Sequence, residues 1–482
     1  MTEQSRRLTS TFVHPKAAAW GAPGGPWPTQ TLDQALVSGD EIDALVGVVA
    51  GGLAGVGVGR GDTVSWQKAN GPDAIALFRA AWRLGAVAAP IHHLAGSSDR
   101  NEILDRLRPS VFFGPTDQLP MGDPLSKPPD GIDSADLALA LGTSGSTGSP
   151  KLALHTHRSL LYKALQMARV HGLGPGDCTL LCAPLAHISG LLYGILLGAC
   201  GVRSVPMAKW DPTVALELIE REQVTFMIGP PTFFVSMMGV PTFDPAAVRS
   251  LRQISCGGAG VTPTFVRSAS ERLGCRIKRS YGSTEAPTVT TSTLEDDAEL
   301  AATTDGRAVG DAELVVVSIE TGEVVAAGER GELWVRGPEL CEGYDDEVAT
   351  AASFTPDGWF KTGDLATLNS DGWLTIVGRA KDVIIRGGEN IAAPELEAVL
   401  EAHPAVQQAV VVGYPDPRLG ERVCGFVVTT SPFDLEASCA WFEERGVSKF
   451  KWPERIVVVE TLPLLAAGKP DRKALKARAE SL

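Results

Sequence analysis

The chain has 482 residues, of which 44% are hydrophobic and 21% charged, a composition that excludes a disordered or fibrous protein and exceeds what one compact core usually serves. Its 57 acidic and 43 basic residues give a formal net charge of -14 at pH 7, so the overall field repels nucleic acids and anionic membranes. We therefore expect at least two domains, no nucleic-acid partner, and reduced thiols for the eight scattered cysteines.

The N-terminal residues carry no apolar core of the length that an export signal needs. The longest uncharged apolar stretches, Leu45–Gly59 and His187–Val202, are broken by glycines and fall short of the ~20 residues that span a bilayer. We expect a cytoplasmic protein with no membrane span.

The first hundred residues alternate between helical and strand patterns. A helix is predicted over Ile42–Leu53, a strand over Thr63–Trp66 and a second helix over Ile75–Leu84, which indicates an α/β layer. The glycines at positions 55, 57 and 59 do not fit G-x-G-x-x-G and follow a helix rather than a strand, so they predict a turn and not a dinucleotide site.

The middle of the chain continues in the same way. Strands are predicted over Val224–Ile228 and Gln253–Cys256, and helices over Val214–Arg221 and Phe265–Leu273. A large α/β body follows from this alternation.

After Gly310 the pattern changes to short β-rich runs, ELVVVSIE, GELWVRG and GWLTIVG, separated by turns such as Asp371-Gly372. The last hundred or so residues have the pattern of a compact α+β unit. The predicted fold class is α/β, with a large multi-layer domain over residues 1–379 that includes a small β-rich subdomain, and a small α+β domain over residues 380–482.

One glycine-rich loop has the chemistry of a polyphosphate site. It opens from an apolar strand and contains Thr143, Ser144, Gly145, Ser146, Thr147, Gly148 and Lys151. Glycines let backbone N–H groups approach anionic oxygens, hydroxyls add donors and the lysine adds charge. It is not a Walker A loop, because Lys151 follows Ser149-Pro150, and on its own it is equally compatible with a solvent-exposed loop.

The string GTSGSTGSPK resembles the phosphate-binding signature of the ANL superfamily, which comprises acyl-CoA synthetases, luciferases and the adenylation domains of peptide synthetases. Further strings resemble the other motifs of this superfamily, in its order: PLAHISG, SCGGAG, YGSTE, TGD, GRAKD and AAGKPDRKAL. The nearest pattern is that of the short acyl-CoA synthetases related to 4-coumarate:CoA and medium-chain acid:CoA ligases.

The resemblance implies an ATP site and a magnesium site. Residues 143–151 would hold the β- and γ-phosphates, Thr284 would contact the α-phosphate, and Glu285 would help to hold Mg²⁺, whose preference for hard oxygen ligands fits a carboxylate. Asp364 would accept the ribose hydroxyls and Arg379 would reach the ribose or phosphate. The adenine site would be formed by Gly257, Gly258, Ala259 and Tyr281, and Gly282 and Ser283 would also bind the nucleotide.

The same resemblance assigns roles in catalysis, in domain movement and in coenzyme A binding. Lys469 would bridge the attacking carboxylate and the α-phosphate, and His187 would guard the acyl carboxylate without transferring a proton. The C-terminal domain would turn about Lys381 between two half-reactions, and Gly387 and Gly388 would line the pantetheine passage of coenzyme A. Taken singly, Lys469 is compatible with a solvated lysine and His187 with a structural histidine.

The acyl pocket implied by the resemblance is mostly small or apolar, which favours an uncharged aryl, alicyclic or medium-chain acid. Its predicted members are Ile188, Ser189, Tyr193, Phe233, Ala259, Gly282, Ala286 and Pro287. No aspartate follows PLAH, which disfavours an amino-acid substrate. Leu152 departs from the glycine that the family usually has at this position.

We therefore expect a monomeric or homodimeric ligase that converts a carboxylic acid and ATP to acyl-AMP and pyrophosphate, and then transfers the acyl group to coenzyme A. A carrier-protein thiol as the acceptor is the first alternative. A nucleotide-binding relative that has lost catalysis is the second.

Overall fold

The computed structural model describes residues 8–9, 12–22, 24–36, 40–143, 151–258, 260–380, 383–386, 389–465 and 469–482. Within these ranges the strands form four sheets, two in an α/β body, one in a β-rich unit and one in the C-terminal unit. The predicted fold class is confirmed.

The first sheet has the order β3-β1-β2-β4-β5, and it is parallel except for the β4/β5 pair. Its core includes Trp66, Phe78 and Trp82, all nearly fully buried. The strands are β1 Thr63–Trp66, β2 Val87–Pro90, β3 Val111–Phe113, β4 Leu137–Thr143 and β5 Lys151–Thr156. The helices of this part are α1 Ala17–Trp20, α2 Leu32–Ala35, α3 Asp40–Gly55, α4 Pro72–Arg83, α5 Ser97–Leu107 and α6 His157–His171.

The second sheet has the order β12-β11-β10-β9-β8-β6-β7, with parallel pairing from β10 to β7. Its strands are β6 Cys178–Leu181, β7 Arg203–Pro206, β8 Phe226–Gly229, β9 Gln253–Gly257, β10 Arg276–Tyr281, β11 Thr290–Thr291 and β12 Arg307–Ala308. The helices are α7 Ile188–Gly194, α8 Pro212–Glu222, α9 Pro231–Met238, α10 Pro263–Leu273 and α11 Ala298–Thr303, with 3₁₀ turns at Leu196–Cys200 and Pro245–Val248.

The third sheet is an antiparallel meander and the fourth belongs to the C-terminal unit. The meander consists of β13 Glu313–Val317, β14 Arg330–Arg336, β15 Phe360–Leu368 and β16 Leu374–Arg379, with α12 at Glu347–Ser353. The fourth sheet contains β17 Ile384–Arg386, β18 Glu389–Ile391, β19 Val406–Asp416, β20 Gly420–Thr429 and β21 Arg455–Val458. Its helices are α13 Ala393–Glu401, α14 Leu435–Glu444 and α15 Arg472–Ser481, with a 3₁₀ turn at Lys449–Lys451.

The boundary at residue 379 stays a prediction, although the third sheet ends at Arg379 and the fourth begins at Ile384.

Local signals in the sequence account for the element ends. The Asp211 side chain accepts hydrogen bonds from two N–H groups at the start of α8, and Gln223 ends this helix in the left-handed conformation, with φ 52°. The N–H of Val224 then bonds to the Ile219 carbonyl, which delays the next strand to Phe226, two residues later than predicted. The glycine-rich segment after α3 is a turn, as predicted, with Gly57 at φ 92°.

The parallel strands of the second sheet end at a common edge. β8 ends at Gly229, β9 at Gly257 and β10 at Tyr281, so the loops that follow them open on the same side. In open α/β sheets this carboxyl edge is where ligands bind. Among the predicted nucleotide and acyl residues, Phe233, Gly258 and residues 282–287 follow these strands in the sequence.

No helix in the described part of the chain is long and apolar enough to cross a membrane. All eight cysteines are free thiols.

A fully buried ion pair connects the meander to the first sheet. The Lys163 Nζ on α6 lies 3.2 Å from an oxygen of Glu339, which follows β14, and both side chains have no exposed area. Burial lowers the pKa of Lys163, and the Glu339 charge opposes this shift.

Removing one partner of this pair should leave the other charge buried and uncompensated. We expect Lys163→Met to destabilise the domain by about 3 kcal/mol. Replacing both residues, as Lys163→Met with Glu339→Leu, should recover most of the loss because neither charge is then buried. Thermal unfolding midpoints of the three proteins test this, and a double variant less stable than the single one would contradict it.

Candidate active site

A cavity of about 140 Å³ lies at the carboxyl edge of the second sheet. Its lining combines apolar side chains, exposed backbone and one cation. The lining residues are Ala183, Pro184, His187, Ile188, Ser189, Leu192, Ile228, Gly229, Pro230, Phe233, Gly257, Gly258, Ser280, Tyr281, Gly282, Ser283, Thr284, Pro287, Thr288 and Lys469.

Lys469 enters this cavity from the C-terminal unit. The Leu465 N–H bonds to its carbonyl oxygen at 2.7 Å, and Leu464 forms a bridge with Pro470, so a short backbone ladder holds the residue. A Cβ built on Gly258 would lie 3.2 Å from Lys469 Cε, and Gly258 has a φ of 76°, so glycine meets both the steric and the backbone requirement. Desolvation lowers the pKa of Lys469, and the Arg379 charge adds to this effect.

Asp364 is held from both sides. The Tyr281 hydroxyl donates to Asp364 Oδ2 at 2.6 Å, and Arg379 Nε lies 2.7 Å from Oδ1. Burial, followed by the Asp364 charge, raises the pKa of Tyr281 well above its usual value, so this hydroxyl stays a donor. The three predicted adenine and ribose residues thus form one connected group, and Asp364 and Arg379 are close enough to Lys469 to act on its pKa.

Glu285 is buried beside Tyr344, a residue that the sequence did not single out. The Tyr344 hydroxyl donates to Glu285 Oε1 at 2.7 Å, and Lys151 Nζ lies 5.1 Å from the centre of the Tyr344 ring. Burial raises the pKa of Tyr344, which keeps it protonated. The tyrosine therefore connects the last residue of the predicted phosphate loop, Lys151, to the predicted metal carboxylate.

The backbone at Thr284 is fixed by a buried histidine. His155 Nε2 lies 2.8 Å from the Thr284 carbonyl oxygen. A carbonyl can only accept, so Nε2 carries the proton. Gly282 supports the same turn, since a Cβ there would lie 2.2 Å from the Thr288 nitrogen.

His187 caps α7 at the cavity wall, and its ring centre lies 5.2 Å from that of His92. Burial lowers the pKa of His187 to about 3, and the His92 and Lys469 charges act in the same direction. A neutral ring cannot hold a carboxylate by charge. We therefore assign His187 to the cavity wall, where its ring nitrogens can donate or accept a hydrogen bond.

The acyl pocket is only partly as expected. Ile188, Ser189, Phe233, Gly282 and Pro287 line the cavity. The Phe233 ring stacks on Trp210, with centres 4.3 Å apart, and this fixes its orientation.

Two expected pocket residues lie elsewhere. The Tyr193 side chain is 2% exposed and packs in the first core, where its hydroxyl lies 3.2 Å from His171 Nε2 and donates to Met167 Sδ. Ala286 points into the core of the meander instead of the cavity. The Tyr193 ring stacks on Phe226 of β8 in the second sheet, with centres 5.4 Å apart, so it packs against that sheet instead of lining the cavity.

Leu152, which stands where the family usually has glycine, has a structural role. The side chain is buried, and its N–H bonds to Asp345 Oδ1 at 3.1 Å, which fastens β5 to the turn that carries Tyr344. Thr143 pairs with Lys151 across β4 and β5 at the base of the predicted phosphate loop.

Several predicted residues lie outside the described part of the chain. They are the phosphate-loop residues Ser144, Gly145, Ser146, Thr147 and Gly148, the adenine-site residue Ala259, the hinge residue Lys381, and the pantetheine-passage glycines Gly387 and Gly388.

Four residues could not be identified from the sequence, because each acts through a contact that forms only on folding. They are Tyr344, His155, His92 and Trp210. The only sequence signal was for Tyr344, an aromatic residue in the polar turn CEGYDD.

Comparison with known proteins gives matches along the chain. A family model described as AMP-binding enzyme matches residues 29–345, and one described as AMP-binding enzyme C-terminal domain matches residues 395–469. The chain is 30% identical to the medium-chain fatty-acid–CoA ligase of Escherichia coli (strain K12), over 90% of this chain and 84% of that protein. It is 32% identical to a feruloyl-CoA synthase of Amycolatopsis sp, over 89% of this chain and 91% of that protein. The ATP-bound crystal structure of MatB from Rhodopseudomonas palustris is similar with a TM-score of 0.83 and 26% identity, over 91% of this chain and 93% of that one.

The two site histidines should stay neutral at physiological pH. Burial lowers the pKa of His155 to about 4 and that of His187 to about 3, from an ordinary value of 6.5. We expect their ring ¹⁵N signals in a histidine-labelled sample to stay constant between about pH 5.5 and 8. His155→Asn and His187→Asn identify the signals, and a midpoint within this range for either residue would contradict the prediction.

Proposed function

We propose that this chain, which belongs to the AMP-binding enzyme family, is an AMP-forming acid–thiol ligase that activates an uncharged carboxylic acid with ATP and transfers the acyl group to coenzyme A. The observation that carries the proposal is the convergence of Lys469, from the C-terminal unit, with His187, Tyr281, Thr284 and the Asp364–Arg379 pair at one sheet edge.

In the first half-reaction a carboxylate oxygen forms a bond to the α-phosphorus of ATP, and the bond from that phosphorus to the β-phosphate oxygen breaks. Both reactants are anionic, so the protein has to supply positive charge and alignment. Lys469 is the cation in the cavity lining, and two approaching anions favour its charged form against the desolvation that lowers its pKa. We assign Asp364 as the acceptor of the ribose hydroxyls, with Tyr281 and Arg379 holding its carboxylate in place.

Magnesium fits the donor set around Glu285. Among the described residues no group of three or more histidines, cysteines and acids is arranged to hold a metal ion. Mg²⁺ is commonly bound by one or two carboxylates together with substrate phosphates and water. Glu285 would supply the carboxylate, and the ion would neutralise phosphate charge; Tyr344 orients the carboxylate through its hydrogen bond.

In the second half-reaction the thiol sulfur forms a bond to the acyl carbon, the bond to the AMP oxygen breaks, and the thiol proton is released. Lys381, Gly387 and Gly388 keep their proposed roles as hinge and passage. A carrier-protein thiol is the alternative acceptor, and the net charge of -14 does not favour docking of an acidic partner. An inactive relative is disfavoured because Lys469, Glu285, Asp364 and Arg379 are all present in the chain.

For the acid, we propose an aryl carboxylate. The cavity wall includes the Phe233 ring, whose orientation is fixed by stacking on Trp210, and apolar neighbours with no fixed charge apart from Lys469. Aromatic rings gain from such an offset or edge contact beyond simple burial. The two relatives are named for an aliphatic and an aromatic acid, so the proposal of an aryl acid rests on the cavity wall.

Removing Lys469 should separate the half-reactions. We expect Lys469→Ala to slow pyrophosphate release by about 100-fold or more, because a charge is lost where negative charge is concentrated. Thioester formation from a supplied acyl-adenylate should stay within about threefold of the wild type, since that step does not transfer the phosphoryl group. Single-turnover assays of each half-reaction measure both values.

Lys473→Ala is the matched control, because Lys473 is an exposed lysine on α15. An equal loss of both half-reactions in Lys469→Ala would contradict the assignment, as would the same loss in the control.

The substrate class is tested by carboxylate-dependent pyrophosphate release with Mg-ATP, using benzoate- and cinnamate-type acids against fatty acids of six to twelve carbons, each with and without coenzyme A. We expect aryl acids to give at least about tenfold higher kcat/KM, equivalent to about 1.4 kcal/mol. Phe233→Leu keeps an apolar wall without the ring and should reduce this preference.

A fatty-acid preference would reject the aryl class but keep the reaction. Pyrophosphate release without a coenzyme A thioester would favour a carrier-protein acceptor, and no release with any acid would reject the proposed function.

A further inference from the structure

A second contact joins the two parts of the chain beside the site. The hydroxyl of Thr262, the N-cap of α10, donates to Glu401 Oε2 on α13 at 2.8 Å and also accepts from the Phe265 N–H. Glu401 Oε1 accepts from the Ala409 N–H at 2.9 Å. Both carboxylate oxygens are thus engaged, one of them across the boundary between the α/β body and the C-terminal unit.

Inside the C-terminal unit, α13 is tied to the segment that carries Lys469. Arg472 Nη2 lies 2.6 Å and 2.9 Å from the two oxygens of Glu397, one helical turn before Glu401. Arg472 Nη1 also donates to the Val411 carbonyl. Because Arg472 is three residues after Lys469, a movement of α13 is transmitted to the lysine.

On the other side of the boundary, one loop receives both contacts. Lys469 lies against Gly258, and Glu401 bonds to Thr262, four residues further along the chain. A Cβ built on Gly260, between them, would lie 3.6 Å from Glu397 Oε2. The loop after β9 is therefore docked at both of its ends by the C-terminal unit.

From this arrangement we propose that Glu401 is a positioning residue for the adenylation half-reaction: its hydrogen bond to Thr262 holds α13, and through Glu397 and Arg472 it holds Lys469 in the cavity. The inference rests on the proposed function, because it uses the role given there to Lys469. It adds a residue that lies outside the cavity and touches no substrate.

The chemistry of the contact suggests a conservative replacement. Burial raises the pKa of Glu401 to about 7, and the nearby Glu397 charge acts in the same direction, while the hydrogen bonds from Ala409 and Thr262 oppose it. A neutral group of the same shape is therefore tolerated here. Glutamine can accept from the Ala409 N–H with its oxygen and donate from its amide nitrogen to the Thr262 hydroxyl oxygen, whereas alanine removes both contacts.

The test compares Glu401→Ala, Glu401→Gln and the control Glu395→Ala. Glu395 is on the same helix, but its side chain is exposed and pairs with Lys451 within the C-terminal unit. We expect Glu401→Ala to slow single-turnover adenylation by about tenfold, the scale of one lost hydrogen bond to a charged or buried group. Thioester formation from a supplied acyl-adenylate should not fall, and Glu401→Gln and Glu395→Ala should stay within about twofold of the wild type.

A measurement independent of activity separates this inference from the proposed function. Spin labels on cysteines introduced at exposed Ser268 and Glu436, with Cys200 and Cys439 replaced by serine, report the distance between the two parts. Glu401→Ala should broaden or lengthen this distance, and Glu401→Gln should not. An unchanged distance in Glu401→Ala, or an equal loss of both half-reactions, would overturn the positioning role, whereas a changed distance in a protein that activates no acid would reject only the proposed function.

Discussion

The site depends on bringing positive charge to one edge of a sheet in a protein whose net charge is -14. The cations are gathered from three separate parts of the chain. Lys151 begins β5 of the first sheet, Arg379 ends β16 of the meander, and Lys469 follows the last strand of the C-terminal sheet. Each is tied by a contact that limits its freedom: the Tyr344 ring, the Asp364 carboxylate and the Gly258 backbone, respectively. Because these parts belong to different sheets, the three positive charges come together only when the chain is folded.

The carboxyl edge of the second sheet explains why so much of the lining is backbone. Gly257 ends β9, Gly258 follows it and Gly282 follows β10, and each lies where a side chain would crowd a neighbouring group. A flat ligand can approach such an edge closely because no Cβ atoms intervene. The buried contacts underneath, such as that of His155 with the Thr284 carbonyl, keep these turns in place without adding charge.

The sequence predicted the fold class, the main elements of the α/β body and most of the residues that meet at the cavity. It did so because the motifs lie directly after strands, where topology alone brings them together. It could not predict the direction of a side chain on a short helix, so Tyr193 was placed in the pocket although it packs in the core. Nor could it find Tyr344 or Glu401, whose importance comes from partners 59 and 139 residues away in the chain. Ser144–Gly148, Ala259, Lys381, Gly387 and Gly388 stay predictions.

The cavity has an apolar half and a positively charged half. The Lys469 ammonium and a protonated His187 would repel each other, and burial together with this repulsion lowers the pKa of His187. The neutral ring then belongs to the apolar half of the cavity, with Ile188 and Phe233, while the cation faces the Asp364–Arg379 group. An acid whose tail is apolar and whose head is anionic meets both halves in one orientation, with its carboxylate next to the lysine. Since the apolar half belongs to the α/β body and the cation to the C-terminal unit, that orientation is complete only while the contacts along the loop after β9 are in place.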